Sequence, residues 1–278
     1  MTRAMDDILT PDPSAPPVVM GILNVTPDSF SDGGAFVDPA SALRQAQRLV
    51  EDGAEILDIG AESTRPGSER VPADTQIQRL KETLPAAIST GAIVSIDTTC
   101  AEVARWALDH GASLVNDVSS GRDDPDLLPL VGRRGVPIVL MHMLGQPKSM
   151  QQSPHYDDVV AEVRDHLEER LASAVEAGIP PEKCILDPGI GFGKRLEHNL
   201  TLLTRGVEAL KTLGCAVLIG PSRKRFIGEI ADEPDATRRV GGTIAACLAA
   251  RRSGATLFRV HEVAPVRQAI LVDDRIHQ

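Results

Sequence analysis

The chain has 278 residues and carries 29 Lys+Arg against 39 Asp+Glu, a formal net charge of −10. That balance argues against a protein whose business is nucleic acid or an anionic membrane surface. Hydrophobic residues make up 42%, enough for a core, so disorder of the whole chain is excluded. Aromatics are few (5 Phe, 1 Trp, 1 Tyr), so the core must be aliphatic. The four cysteines, Cys100, Cys184, Cys215 and Cys247, form no CxxC pair, which indicates buried thiols in a reducing compartment.

Residues 1–17 place Asp6 and Asp7 where a signal peptide needs apolar residues, and four prolines follow. The segment reads as a flexible N-terminal tail. No run approaches the roughly 20 apolar residues of a membrane helix. A cytoplasmic protein is expected, without a membrane or nucleic-acid partner.

From Val18 onward, short Val/Ile/Leu runs alternate with helical stretches. Strands are expected over 18–23, 55–59, 93–96, 113–115, 137–141, 184–186, 216–219 and 256–260. Helices are expected over 39–52, 74–89, 101–109, 156–177, 196–210, 236–253 and 263–272. Several strands are apolar throughout, which suits a sheet covered on both faces. In the first of these helices Leu43, Ala46 and Val50 alternate with Arg44, Gln47 and Glu51 at helical spacing. Gly53, Gly91, Gly111, Gly178 and Gly254 sit where helices should stop. Eight such units at this length fit a single (β/α)8 TIM-barrel domain over 18–278. A doubly wound open sheet is the competitor. It needs a glycine-rich phosphate loop after the first strand, and Asn24-Val25-Thr26-Pro27 is not one.

Barrel enzymes build their sites at the C-terminal strand ends. The polar residues there are Asn24, Asp58, Asp97, Asn116, His142, Asp187 and Ser222, then Arg259 with His261. One such residue is ordinarily a helix cap or a turn former. A polar group at nearly every strand end points instead to one shared crevice. Asp97, Asn116 and Asp187 complement a flat heterocycle rich in N–H donors. Lys224 suits a ring acceptor or a Schiff base, and its plain alternative is a solvated lysine between Arg223 and Arg225. Asn24, Arg65, Arg259 and His261 suit a phosphate and its metal. Two loops, 26–34 and 62–68, are polar and punctuated by Gly or Pro, and Phe30 in the first reads as a lid residue.

The stretch from Met20 through Asn24, Phe30 and Asp32 to Gly34 resembles the first signature of the dihydropteroate synthase family, and 58–67 resembles its second. Further similar segments are Ser95-Ile96-Asp97-Thr98, Asn116-Asp117-Val118, Met141-His142-Met143, 187–194, Ser222-Arg223-Lys224 and 259–262. The resemblance runs in order from Val18 to the last helix. It implies a (β/α)8 barrel that acts as a homodimer. Its reaction joins 6-hydroxymethyl-7,8-dihydropterin pyrophosphate to p-aminobenzoate with Mg2+, a folate-biosynthesis step targeted by sulfonamides. It also implies roles. Asp97, Asn116, Asp187 and Lys224 would hold the pterin, with Met141 packed on the ring and Arg259 over it. Asn24 would contact Mg2+. Asn24, Arg65, Arg259 and His261 would surround the pyrophosphate. Phe30, Thr64, Pro66, Phe192 and Ser222 would line the p-aminobenzoate pocket, and Asp32 would sit near the developing positive charge. The catalytic set is Asp32, Arg65, Lys224, Arg259 and His261. Pro221 and Glu262 are mild departures from the family pattern, and Glu262 bears on the orientation of His261.

The alternatives are a non-catalytic pterin-binding homologue, a methyltetrahydrofolate–corrinoid methyltransferase-like barrel and an aldolase using Lys224. The presence of Asn24, Phe30, Asp32, Thr64, Arg65 and Pro66 weighs against the first, and the loop Ser63-Thr64-Arg65-Pro66-Gly67 against the second.

Overall fold

A computed structural model describes residues 4–10, 12, 14–25, 39–63, 67–146 and 148–277. Eight parallel strands close in sequence order, each beside the next and the last beside the first. They are β1 (Val18–Asn24), β2 (Ile56–Gly60), β3 (Ile93–Asp97), β4 (Leu114–Asp117), β5 (Ile138–Met141), β6 (Cys184–Asp187), β7 (Ala216–Ile219) and β8 (Leu257–Val260). Closure excludes the open doubly wound sheet.

Because side chains alternate along a strand, each strand feeds two cores. Val19, Leu57, Ile96, Val115, Leu140, Leu186, Val217 and Phe258 face outward and pack with the surrounding helices. Met20, Ile56, Leu114, Val139, Ile185, Leu218 and Leu257 fill the barrel interior.

The N-terminal segment differs from the expected tail. Residues Met5–Leu9 form α1, and Ile8 and Leu9 are buried in the interior cluster. Arg251 donates to the Ala15 carbonyl at 2.7 Å and ties the segment to the body. In the sequence, the prolines that follow conceal an apolar pair that packs into the N-terminal end of the barrel.

The helices that follow the first four strands are α2 (Pro39–Glu51), α3 (Ala73–Ile88), α4 (Ala101–Asp109) and α5 (Leu127–Arg134). The buried stripe of α2 is Ala42, Ala46 and Leu49, so Leu43 and Val50 are only half-buried at its edge. The sequence reading omits α5, because Pro129 and Gly132 interrupt its pattern. Pro129 falls in the first turn, where no intrahelical N–H bond is needed, and Gly135 ends the helix at φ 63.

After β5 comes α6 (Val159–Glu176), whose Asp158 caps the N–H groups of Val160 and Ala161 at 2.9 and 3.2 Å. The expected helix 196–210 is α7 (Leu196–Thr201), a π-helical turn Leu202–Gly206, and α8 (Val207–Lys211). A further helix, α9 (Arg225–Ala231), precedes α10 (Val240–Ser253), and α11 (Val263–Ile276) closes the chain. Among the described residues no helix is long and apolar enough to cross a membrane.

Candidate active site at the C-terminal mouth

Two residues along five of the strands, the aliphatic lining gives way to other side chains, four of them polar. Ile56 is followed on its face by Asp58, Leu114 by Asn116, Val139 by Met141, Ile185 by Asp187 and Leu257 by Arg259. Register aligns the top of the first four strands. Asn24 pairs with Gly60, Gly60 with Asp97, and Asp97 with Asn116. A Cβ on Gly60 would lie 3.6 Å from both Asn24 Oδ1 and Asp97 Oδ2, so its absence leaves a cleft lined by oxygen.

Asp58 lies within β2 rather than after it, fully buried. Its Oδ2 accepts from Arg259 Nε at 2.6 Å and from Asn116 Nδ2 at 3.0 Å. Arg259 Nη2 also donates to Asp97 Oδ2 at 2.7 Å. Two consequences follow. Arg259 is held by two carboxylates, and Asn116 is turned with its amide nitrogen inward, leaving its carbonyl for a ligand. Burial pushes Asp97 up to about 7 against the pull of Arg259. Asp58 Oδ1 is buried without a partner among the described residues. A buried acceptor in that state calls for a donor, which an N–H-rich ring supplies.

On the opposite wall, Asp187 ends β6 and its Oδ1 accepts from Gly189 N at 2.7 Å. Burial raises the pKa of Asp187, opposed by that bond and then by Lys224, Lys194 and Arg259. Lys224 donates to the Ile190 carbonyl, and its Nζ stands 4.1 Å from the Phe192 ring centroid. It is therefore directed into the site rather than free in solvent. Burial lowers it to about 7. Met141 and Phe192 form an apolar wall with Val118, Met143 and Met150.

Ser222, after β7, pairs with His261 Nδ1 at 2.9 Å and lies 3.4 Å from Glu262 Oε2. Arg223 binds the other oxygen of Glu262 through Nε at 2.6 Å. Glu262 is thereby turned to Arg223 and Ser222, and His261 is oriented by Ser222.

The structure thus brings together Asn24, Asp97, Asn116, Met141, Asp187, Phe192, Ser222, Lys224, Arg259 and His261. Phe30, Asp32, Thr64, Arg65 and Pro66 lie outside the described residues. Sequence reasoning gave no role to Asp58 beyond its strand-end position, and none to Lys194. Both sit in segments flagged by their motifs. What marks them is burial and a contact across the barrel, which one sequence does not display.

Fold and site define an α/β-barrel whose C-terminal mouth sets the buried carboxylates Asp58, Asp97 and Asp187 beside Lys224 and Arg259. The family model for pterin-binding enzymes matches residues 20–261, and the chain belongs to that family. It is 47% identical over 259 residues to the dihydropteroate synthase of Synechocystis, covering 93% of this chain and 89% of that one. The structure resembles Xanthomonas albilineans dihydropteroate synthase with 4-aminobenzoic acid (TM-score 0.88, 44% identity, covering 95% and 94% of the two chains). The same organism's enzyme in complex with 7,8-dihydropteroate superposes at TM-score 0.84, with 42% identity and 95% of each chain covered.

Proposed function

We infer that this chain is a dihydropteroate synthase, joining 6-hydroxymethyl-7,8-dihydropterin pyrophosphate to p-aminobenzoate. The observation that carries the reading is the ring of inward acceptors facing a lysine. Asp97, Asn116 and Asp187 accept N–H groups of the pterin, Lys224 donates to its ring acceptor, and Met141 packs against its face. The lone pair of the arylamine nitrogen forms the new C–N bond at the exocyclic methylene. The C–O bond breaks, pyrophosphate leaves with the electron pair, and the amine proton passes to water. An arylamine is already nucleophilic, so no strong general base is required.

Arg259 and His261 face the departing anion. Arg259 engages Asp58 and Asp97 through Nε and Nη2, which leaves Nη1 for the pyrophosphate. Phe192 and Ser222 border the p-aminobenzoate side, and Thr64, Pro66 and Phe30 belong to the same proposal, as do Asp32 and Arg65 in the catalytic set. Mg2+ fits the Asn24 oxygen in the cleft beside Gly60. Among the described residues no cluster of three His, Cys, Asp or Glu side chains forms a metal cage. A sparse set suits Mg2+, which keeps several waters and leans on substrate phosphates. When bound it neutralises pyrophosphate charge. The homodimer is part of the same reading and is checked by light scattering.

The test is pyrophosphate release from the pterin substrate, with and without p-aminobenzoate. Release that depends on p-aminobenzoate and yields dihydropteroate is expected. Pterin binding without turnover would favour the non-catalytic homologue.

A further inference from the structure

The loop that follows β6, residues 188–193, has every carbonyl from Ile190 to Gly193 capped by a side chain. Lys224 binds that of Ile190, Gln151 that of Gly191 at 2.6 Å, Lys194 that of Phe192 at 3.0 Å, and Tyr156 that of Gly193 at 2.8 Å. Of these four, Lys194 is the buried charge with no part in the reaction above.

Lys194 is 3% exposed, and among the described residues it has no carboxylate within hydrogen-bond reach. Its Nζ lies 2.9 Å from His142 Nδ1, 3.0 Å from the Phe192 carbonyl and 3.4 Å from the His142 carbonyl. An ammonium has three donors, and these acceptors use all three. For Nδ1 to accept, His142 must be neutral with its proton on Nε2. Burial, followed by the Lys194 charge, holds the imidazole far below its usual value. His166 of α6 meets the His142 ring edge-on at 4.9 Å between centroids and is lowered by burial to about 4. Both imidazoles are therefore uncharged near neutrality.

The charged groups around Asp187 are Lys194 on its own loop, Lys224 after β7 and Arg259 on β8. Burial lowers Lys194 to about 7, with Asp187 the largest influence favouring its charged form. Asp187 thus feels the charge of two lysines. Lys224 is directed into the site, and Lys194 is pinned to the loops after β5 and β6, beside the Asp187 carbonyl that accepts from His142 N at 3.0 Å.

We propose that Lys194 is a positioning residue of the pterin site, its ammonium supplying the second positive charge that keeps Asp187 an acceptor while fixing the loop that carries Phe192. A protonated Asp187 presents a donor where the pterin also presents donors, so pterin binding is lost on acidification. Removing the Lys194 charge moves that loss to higher pH. Lys194 remains charged through the acidic range, where its support matters.

The inference rests on the pterin reading, and the experiment separates the two. Calorimetric titration with 6-hydroxymethyl-7,8-dihydropterin between pH 5 and 8 compares the full-length wild type with Lys194→Gln and Lys194→Arg. Gln keeps donors for the carbonyls without the charge, and Lys194→Met repeats the comparison with no hydrogen-bonding group. The acid limb of the neutral variants should rise by about one pH unit, the lower end for loss of a nearby opposite charge. On the acid side of the wild-type midpoint their affinity should fall about tenfold, the equivalent of that one-unit shift, and Lys194→Arg should keep the wild-type limb. A purely structural Lys194 predicts a lower Tm with an unmoved limb, and that result overturns the proposal. A wild type that binds no pterin at any pH overturns the pterin reading, and this inference with it.

Discussion

The two ends of the barrel interior are made by the same strands and do opposite things. At the N-terminal end Met20, Ile56, Leu114, Val139, Ile185 and Leu257 pack with Ile8 and Leu9 of α1 into a sealed apolar plug. One layer up, Asp58, Asn116, Asp187 and Arg259 replace the aliphatics and satisfy one another only in part. Burying incompletely paired polar groups costs stability. The lower layer offsets that cost, and the upper layer keeps its acceptors pointed at a ligand. Stability and function are thus divided along a strand by a step of two residues.

The sharpest way to break the comparison is to move a carboxylate down one layer. Ile185→Asp buries an unpaired charge among Val139, Ala216 and Leu218. The cost is several kcal/mol, a large part of a typical total stability of about 5–15 kcal/mol. Loss of cooperative folding is expected by circular dichroism. A folded, active variant would show that the lower layer tolerates charge and that the division is false.

A smaller effect is expected from Lys224→Ala, which removes a charge-assisted hydrogen bond to the pterin. The loss is about 1.5–3 kcal/mol, or roughly ten- to a hundred-and-fifty-fold in kcat/KM. Unchanged kinetics would make Lys224 a solvated lysine after all.

The same variant tests the electrostatics through the pH dependence of its stability. The folded-state pKa of Lys224 is lowered from 10.5 to about 7 by burial. A group lowered in this way contributes stability that is fully present above the unfolded value and is lost as pH falls through the folded one. The Tm of the unliganded wild type relative to Lys224→Ala should therefore fall as pH goes from 10.5 to 7 and level off below. A gap that is constant with pH, or that widens toward pH 7, would contradict burial of the ammonium.

Much of this was legible in the sequence. Apolar runs ending in Asn24, Asp97, Asn116, Asp187 and Arg259 mark the strands and their working ends together, because the interior face changes character within one strand. The glycines at 53, 91, 111, 178 and 254 mark helix stops, and all take positive φ. What stayed hidden depends on contacts distant in sequence. Asp58 gains its role from Arg259, and Lys194 from His142. Ile8 and Leu9 read as part of a tail until the barrel supplies a hole for them. The helix α5 was lost for a local reason, a proline and a glycine in positions its geometry tolerates.

The most direct test lies on one strand. Asp187→Asn sits two residues above Ile185 and replaces an acceptor by a group that presents a donor. Pterin affinity and Tm should be measured together on this variant. The division of labour predicts that affinity drops at least tenfold, the equivalent of about 1.4 kcal/mol, while Tm changes little because the Asn oxygen still accepts from Gly189 N. A collapsed Tm with undiminished pterin binding by the folded fraction would make Asp187 a structural residue and contradict the account.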